Sequence, residues 1–86
     1  MSFTVSPDVV FRELDGEAVL LDLGTGTYFG LNAVGTRVWQ LIEAGREQDD
    51  IVNVLAAEYD AATPTIAADV ERLVAELKAR RLIKDP

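Results

Sequence analysis

The sequence predicts an α+β domain, with a three-stranded antiparallel β-meander followed by three α-helices. Three observations carry that reading. Residues 9–31 hold runs of β-branched and aromatic residues separated by the turn signals "DG" and "GTGT". From Ala33 the apolar spacing changes from alternation to a helical period of about 3.6 residues. Strands and helices are segregated along a chain of 86 residues, which is the length of one domain, and no linker, repeat or low-complexity stretch divides residues 1–86.

The first strand is "VVFREL", Val9 to Leu14. Asp15-Gly16 follows, and Asp-Gly between two strand-like runs signals a type I′ turn, which needs positive φ at both positions. "EAVLLDL" returns as the second strand. Its residues alternate between two faces, Val19, Leu21 and Leu23 on one, and Ala18, Leu20 and Asp22 on the other. The first set, wholly apolar, is the expected core face, with Leu21 in the core. "GTGT" is the second turn, with Gly24 and Gly26 expected at positive φ and Thr25 filling the turn, and "YFGLN" is the third strand.

Val34, Val38, Leu41 and Ile42 then mark an amphipathic helix, N-capped by Asn32 and stopped by Gly45. Trp39 lies beside that stripe and belongs to the core. A second helix begins near Gln48, with Asp49 and Asp50 suited to its first turn and Ile51, Val52, Leu55 and Tyr59 as its stripe. Thr63 caps the third helix, Pro64 takes the first helical position, and Ile66, Val70, Leu73, Val74 and Leu77 form the buried stripe. It ends near Arg80 and Arg81, and "LIKDP" closes the chain.

Composition excludes much chemistry. Cys and His are both absent. That rules out disulfides, Cys/His metal sites, a cysteine nucleophile and a histidine base, so no metal or cofactor is expected. The formal net charge of −7 disfavours phosphate backbones and anionic membranes. No run approaches the ~18 apolar residues of a membrane span, and "MSFTVSPDVV" lacks a signal-peptide pattern, so the expected location is the cytoplasm.

The stretch "LLDLGTGTYFGLN" holds Gly24, Gly26 and Gly30 and raises the question of a phosphate loop. A P-loop ends in Lys-Ser or Lys-Thr, and a dinucleotide fingerprint needs glycine where Phe29 stands; positions 15–36 carry no Lys or Arg. A hairpin turn is the better reading. Gly30, inside the third strand, marks either a bulge or a place where another backbone approaches closely, and a bulge is slightly favoured. Left at a sheet edge, the third strand can also accept a further strand. Adjacent Tyr28 and Phe29 must face opposite ways, so one leaves the main core. On the third helix, Asp69, Leu73, Glu76 and Arg80 flank the stripe, either as a solvated edge or as the wall of a groove. Three strands and three short helices invite a winged-helix comparison, but this third helix is mixed in charge rather than basic, which points to protein binding over DNA binding.

"LLDLGTGTYFGLNAVGTRVWQLIEAG", "IVNVLAAEY" and "DVERLVAELKARRLI" resemble the PqqD-like family, also called RiPP recognition elements, over about Val9 to Ile83. The most specific part is Tyr28-Phe29-Gly30-Leu31-Asn32 with Gly35 and Trp39, supported by Asp69, Leu77 and Leu82-Ile83. "YFGLN" in a stand-alone domain most resembles the leader-binding proteins of lasso-peptide pathways. The resemblance implies a winged-helix-like fold without catalysis, in which a precursor leader peptide adds as a fourth strand along the third strand. It also implies delivery of that leader to a separate cysteine protease, before a cyclase closes the ring. The expected binding residues are Thr27, Tyr28, Phe29, Gly30 and Leu31 on the strand and Asp69, Val70, Leu73, Glu76 and Leu77 on the helix. Leu73 and Leu77 are expected to form an apolar floor, and Asp69 and Glu76 the polar rim. Many relatives have Gly where this chain has Arg81. The alternatives are a peptide chaperone for a radical-SAM maturation enzyme, a winged-helix DNA-binding regulator and, more remotely, a carboxylate-based enzyme.

Overall fold

The computed structural model describes residues 2–85. In chain order the elements are β1 (Thr4–Val5), β2 (Val9–Leu14), β3 (Glu17–Asp22), β4 (Thr27–Leu31), α1 (Ala33–Glu43), α2 (Gln48–Tyr59), α3 (Thr63–Ala79) and β5 (Ile83–Lys84). The expected meander is β2-β3-β4, antiparallel throughout. Its first turn has φ of 54° at Asp15 and 82° at Gly16, as a type I′ hairpin requires. In the second turn only Gly26 has positive φ. Gly24 instead donates its N–H to Asp22 Oδ1 at 2.9 Å, so the aspartate closes this turn from its side chain, which corrects the expectation for Gly24.

The register runs unbroken, placing Phe11, Leu20 and Phe29 in one row and Val10, Leu21 and Tyr28 in the next. The first row faces the helices. Leu20 is 0% exposed and Ala18 4%, whereas Val19 is 42% and Leu23 62% exposed. The expected core face is therefore the outer one, and Leu21 is half-buried outside the core cluster. Both faces are apolar, so hydrophobicity did not separate them. Small Ala18 lies on the side where α1 packs on β3.

α1 brings Val38, Trp39, Leu41 and Ile42 to the core, Trp39 with 1% exposure. Ile51 and Leu55 from α2 and Val70, Val74 and Leu77 from α3 complete it. Asn32 caps α1, its Oδ1 accepting from the Gly35 N–H at 2.8 Å. Gly45, with φ of 86°, ends it in a Schellman turn: Gly45 N–H donates to Ile42 O and Arg46 N–H to Leu41 O, both at 3.0 Å. The cap of α3 is Ala62 rather than Thr63, without a side-chain bond, and Pro64 lies in the first turn. α3 ends in the same Schellman geometry, here with Arg81 at φ of 60°; Arg81 N–H reaches Lys78 O and Leu82 N–H reaches Leu77 O, both at 3.0 Å.

Two short strands were not anticipated. β1 pairs antiparallel with β5, Val5 opposite Ile83, and the Ser6 N–H donates to Leu82 O at 3.0 Å. Strands this short leave no periodicity to read. Among the described residues, no helix is long and apolar enough to cross a membrane.

Candidate functional site

β4 is an edge of its sheet, with β3 on one side and no strand on the other among the described residues. The chain leaves β4 directly into α1, and α3 lies across from it. Between them is a groove of about 440 Å³. Phe29, Gly30 and Leu31 line the strand side, and Asn32, Val34 and Gly35 the entry to α1. Ile66, Asp69, Val70, Arg72, Leu73 and Glu76 line the helix side, with Val38 and Leu55 beneath.

Spacing on α3 explains the wall. Asp69, Leu73 and Glu76 follow at i, i+4 and i+7 and so share one flank, and Ile66 and Arg72 extend it. That settles which flank faces the strand. Leu73 is half-buried and presents apolar surface, while Val70, 1% exposed, lies deeper. The rim is charged but locally balanced: Arg72 pairs with Asp69, and Arg80 Nη2 lies 3.6 Å from Glu76 Oε1. The Arg80 guanidinium also stacks 4.9 Å from the Phe29 ring centroid. It thus joins the end of α3 to the middle of β4 at one end of the groove.

Of the expected residues, Phe29, Gly30, Leu31, Asp69, Val70, Leu73 and Glu76 come together around this groove. Thr27 and Tyr28 belong to the open strand but do not line the groove. Tyr28, 73% exposed, projects from the outer face while Phe29 points inward, the split that alternation demands. Leu77 is 0% exposed and absent from the lining, so it supports the wall from the core instead of forming the floor. Leu55 and Val38 sit at the base beside Leu73. Gly30 is no bulge: its pairing with Val19 is regular, and a Cβ there would meet nothing within 4 Å. Asn32, Val34, Gly35, Ile66 and Arg72 were missed as lining residues. Ile66 and Arg72 could have been found from their helical spacing to Asp69; the α1 residues depend on how the chain turns out of β4.

An open strand edge facing a helix across a groove is an arrangement that can take an extended peptide: backbone groups of the edge bind its main chain, and the groove takes alternate side chains.

Solved structures share this architecture. The complex of TbiB1 with the TbiA(beta) leader peptide matches with a TM-score of 0.89 and 41% identity, over 96% of both chains. Lasso peptide synthetase B1 complexed with the leader peptide matches with a TM-score of 0.88 and 26% identity, over 99% of this chain and 100% of that one. The chain has no match among the curated proteins. The family model described as Coenzyme PQQ synthesis protein D (PqqD) matches residues 17–83, from the start of β3 through the first residue of β5. The chain therefore belongs to the PqqD-like family.

Proposed function

We propose that this protein binds the leader segment of a ribosomally made precursor peptide as a fourth strand on β4 and presents it to a separate leader-removing cysteine protease in lasso-peptide maturation. The observation that carries the reading is the open β4 edge set across from α3 over a groove of mixed apolar and charged lining. The similarity to two solved leader-peptide complexes supports it. Backbone bonds from Thr27 to Leu31 supply generic affinity. Leu73 and the deeper Val70 and Leu55 receive an apolar leader side chain, and Asp69, Arg72 and Glu76 read polar groups at the rim. Recognition without chemistry suits a chain that has no His or Cys.

Presentation requires a surface the leader leaves free. The outer face of the sheet is such a surface, with Val19 42% and Tyr28 73% exposed and Leu14 and Leu23 beyond them at the hairpin ends. Exposed apolar side chains gathered on one face favour a protein partner, the protease first and the cyclase after it. The family description favours a second reading, in which the same groove holds a peptide for a radical-SAM enzyme. The genes adjacent to this one discriminate the two: a protease and cyclase for the first, a radical-SAM enzyme for the second.

The decisive experiment is fluorescence anisotropy of a labelled leader peptide from the adjacent precursor gene, titrated with the protein. Saturable binding that is lost in folded Leu73→Asp is the expected result. Undiminished affinity in that variant moves the groove elsewhere, and no binding to the wild type refutes the leader reading.

A further inference from the structure

A second cavity lies at the C-terminal end of α3 and shares no lining residue with the groove. It encloses about 320 Å³ between the paired β1 and β5 and the last turn of the helix. Val5, Pro7 and Ile83 give it an apolar lining, and Lys78, Arg81 and Lys84 stand around it. These are three of only 8 basic residues in a chain of net charge −7. Elsewhere the cations are mostly spent on neighbours: Arg37, Arg46, Arg72 and Arg80 all pair with carboxylates. At this cavity Lys78 contacts Asp85 at 2.8 Å and lies 5.5 Å from the Phe3 ring centroid. Arg81 and Lys84 have no ion pair among the described residues.

Arg81 adds a second, independent observation. It occupies the left-handed position of a Schellman turn, where Gly45 stands in the identical turn that ends α1. A side chain there strains the backbone, and glycine relieves it. Strain kept at a position where a simpler residue is available points to use of the side chain.

We propose that this cavity is a second binding site, for an acidic segment of a protein partner that seats a carboxylate between Arg81 and Lys84 and an apolar side chain against Val5 and Pro7. The overall charge selects the ligand class. A polyanion such as nucleic acid or an anionic membrane is repelled by the remainder of the surface, whereas one or two carboxylates feel chiefly the local cations. The apolar lining distinguishes a peptide from a free inorganic anion. Lys78, held by Asp85, completes the positive side once that contact is exchanged for the incoming carboxylate.

The test is an amide NMR titration of the full chain with an end-capped leucine-rich hexapeptide that carries two glutamates. Shifts are expected at residues 4–7 and 78–84, with residues 27–31 unmoved. The same hexapeptide with lysines in place of the glutamates should leave the spectrum unchanged. Arg81→Gly should weaken the acidic peptide by about tenfold, the usual effect of deleting one charged partner, while raising the melting temperature. That variant relieves strain, so loss of binding cannot be ascribed to loss of fold. The absence of shifts up to about 1 mM peptide, shifts confined to β4, or a lower melting temperature in Arg81→Gly each overturns the assignment. So does a response to inorganic triphosphate or to phosphatidylglycerol vesicles without a response to the peptide.

Discussion

Leu20 and Leu21 are chemically identical neighbours with opposite surroundings: Leu20 is fully buried between Phe11 and Phe29, and Leu21 lies on the outer face between Val10 and Tyr28. Truncating the first removes core packing and leaves a cavity; truncating the second removes little. Leu20→Ala should cost ~2–5 kcal/mol of stability and Leu21→Ala less than about 1 kcal/mol, read from urea denaturation of the two variants. The same alternation divides Tyr28 from Phe29. Phe29→Ala strips the groove of a wall and Arg80 of its stacking partner, so leader affinity should fall by roughly tenfold or more. Tyr28→Ala should leave affinity within a few-fold, and anisotropy on both variants ranks them. Alternation is legible in any strand-like run, so the partition of each strand into two faces could be read from sequence. Which face turns inward could not, because Val19, Leu21 and Leu23 are as apolar as the residues that do; the choice belongs to α1, whose Trp39 comes to rest on the Ala18 side.

Among the elements, α1 and α2 are joined at the surface by Arg37 and Glu58, with three hydrogen bonds from the guanidinium to the carboxylate, the shortest 2.7 Å. The Arg37 hydrogen bonds hold the Glu58 carboxyl below its ordinary value, against a smaller opposing effect of desolvation. A carboxyl depressed on folding stabilises the native state above its unfolded value and loses that contribution as pH falls through the folded one. Glu58→Gln should therefore lower the melting temperature slightly at neutral pH, and the difference from wild type should vanish on acidification below the usual carboxylate range. A pH series of thermal melts checks both parts. Local signals predicted most element boundaries: the Asn32 cap, the Gly45 stop and the Asp15-Gly16 turn each depend on a residue and its near neighbours. Thr63 misled by one position because Ala62 already has the extended backbone that precedes the helix. β1 and β5 lay beyond reach, since they exist only through each other, across nearly the whole sequence.

For the molecule as a whole, the winged-helix resemblance and the charge pull in different directions. The third helix, which reads DNA in many such folds, here carries Glu71 and Glu76 beside Arg72 and Lys78, and the chain is at −7. A mobility-shift assay with duplex DNA at low salt, where phosphate contacts are strongest, should show no retardation. The helix wall of the groove was legible because Asp69, Leu73 and Glu76 share a flank in any α-helix. The α1 side was not, because Val34 and Gly35 reach the groove only through the path by which β4 becomes α1.

The composition of β4 has one more consequence. Proteins usually guard a sheet margin with a lysine, a proline or a bulge; "TYFGL" has none of these, and its pairing with β3 is regular. An unguarded margin does not choose its guest by backbone alone. Another copy of β4 offers the same donors and acceptors as a peptide, so self-pairing and cargo compete for one row of hydrogen bonds. Under the proposed function, self-association should therefore rise when the leader peptide is scarce and fall when it is bound, which light scattering with and without the peptide checks.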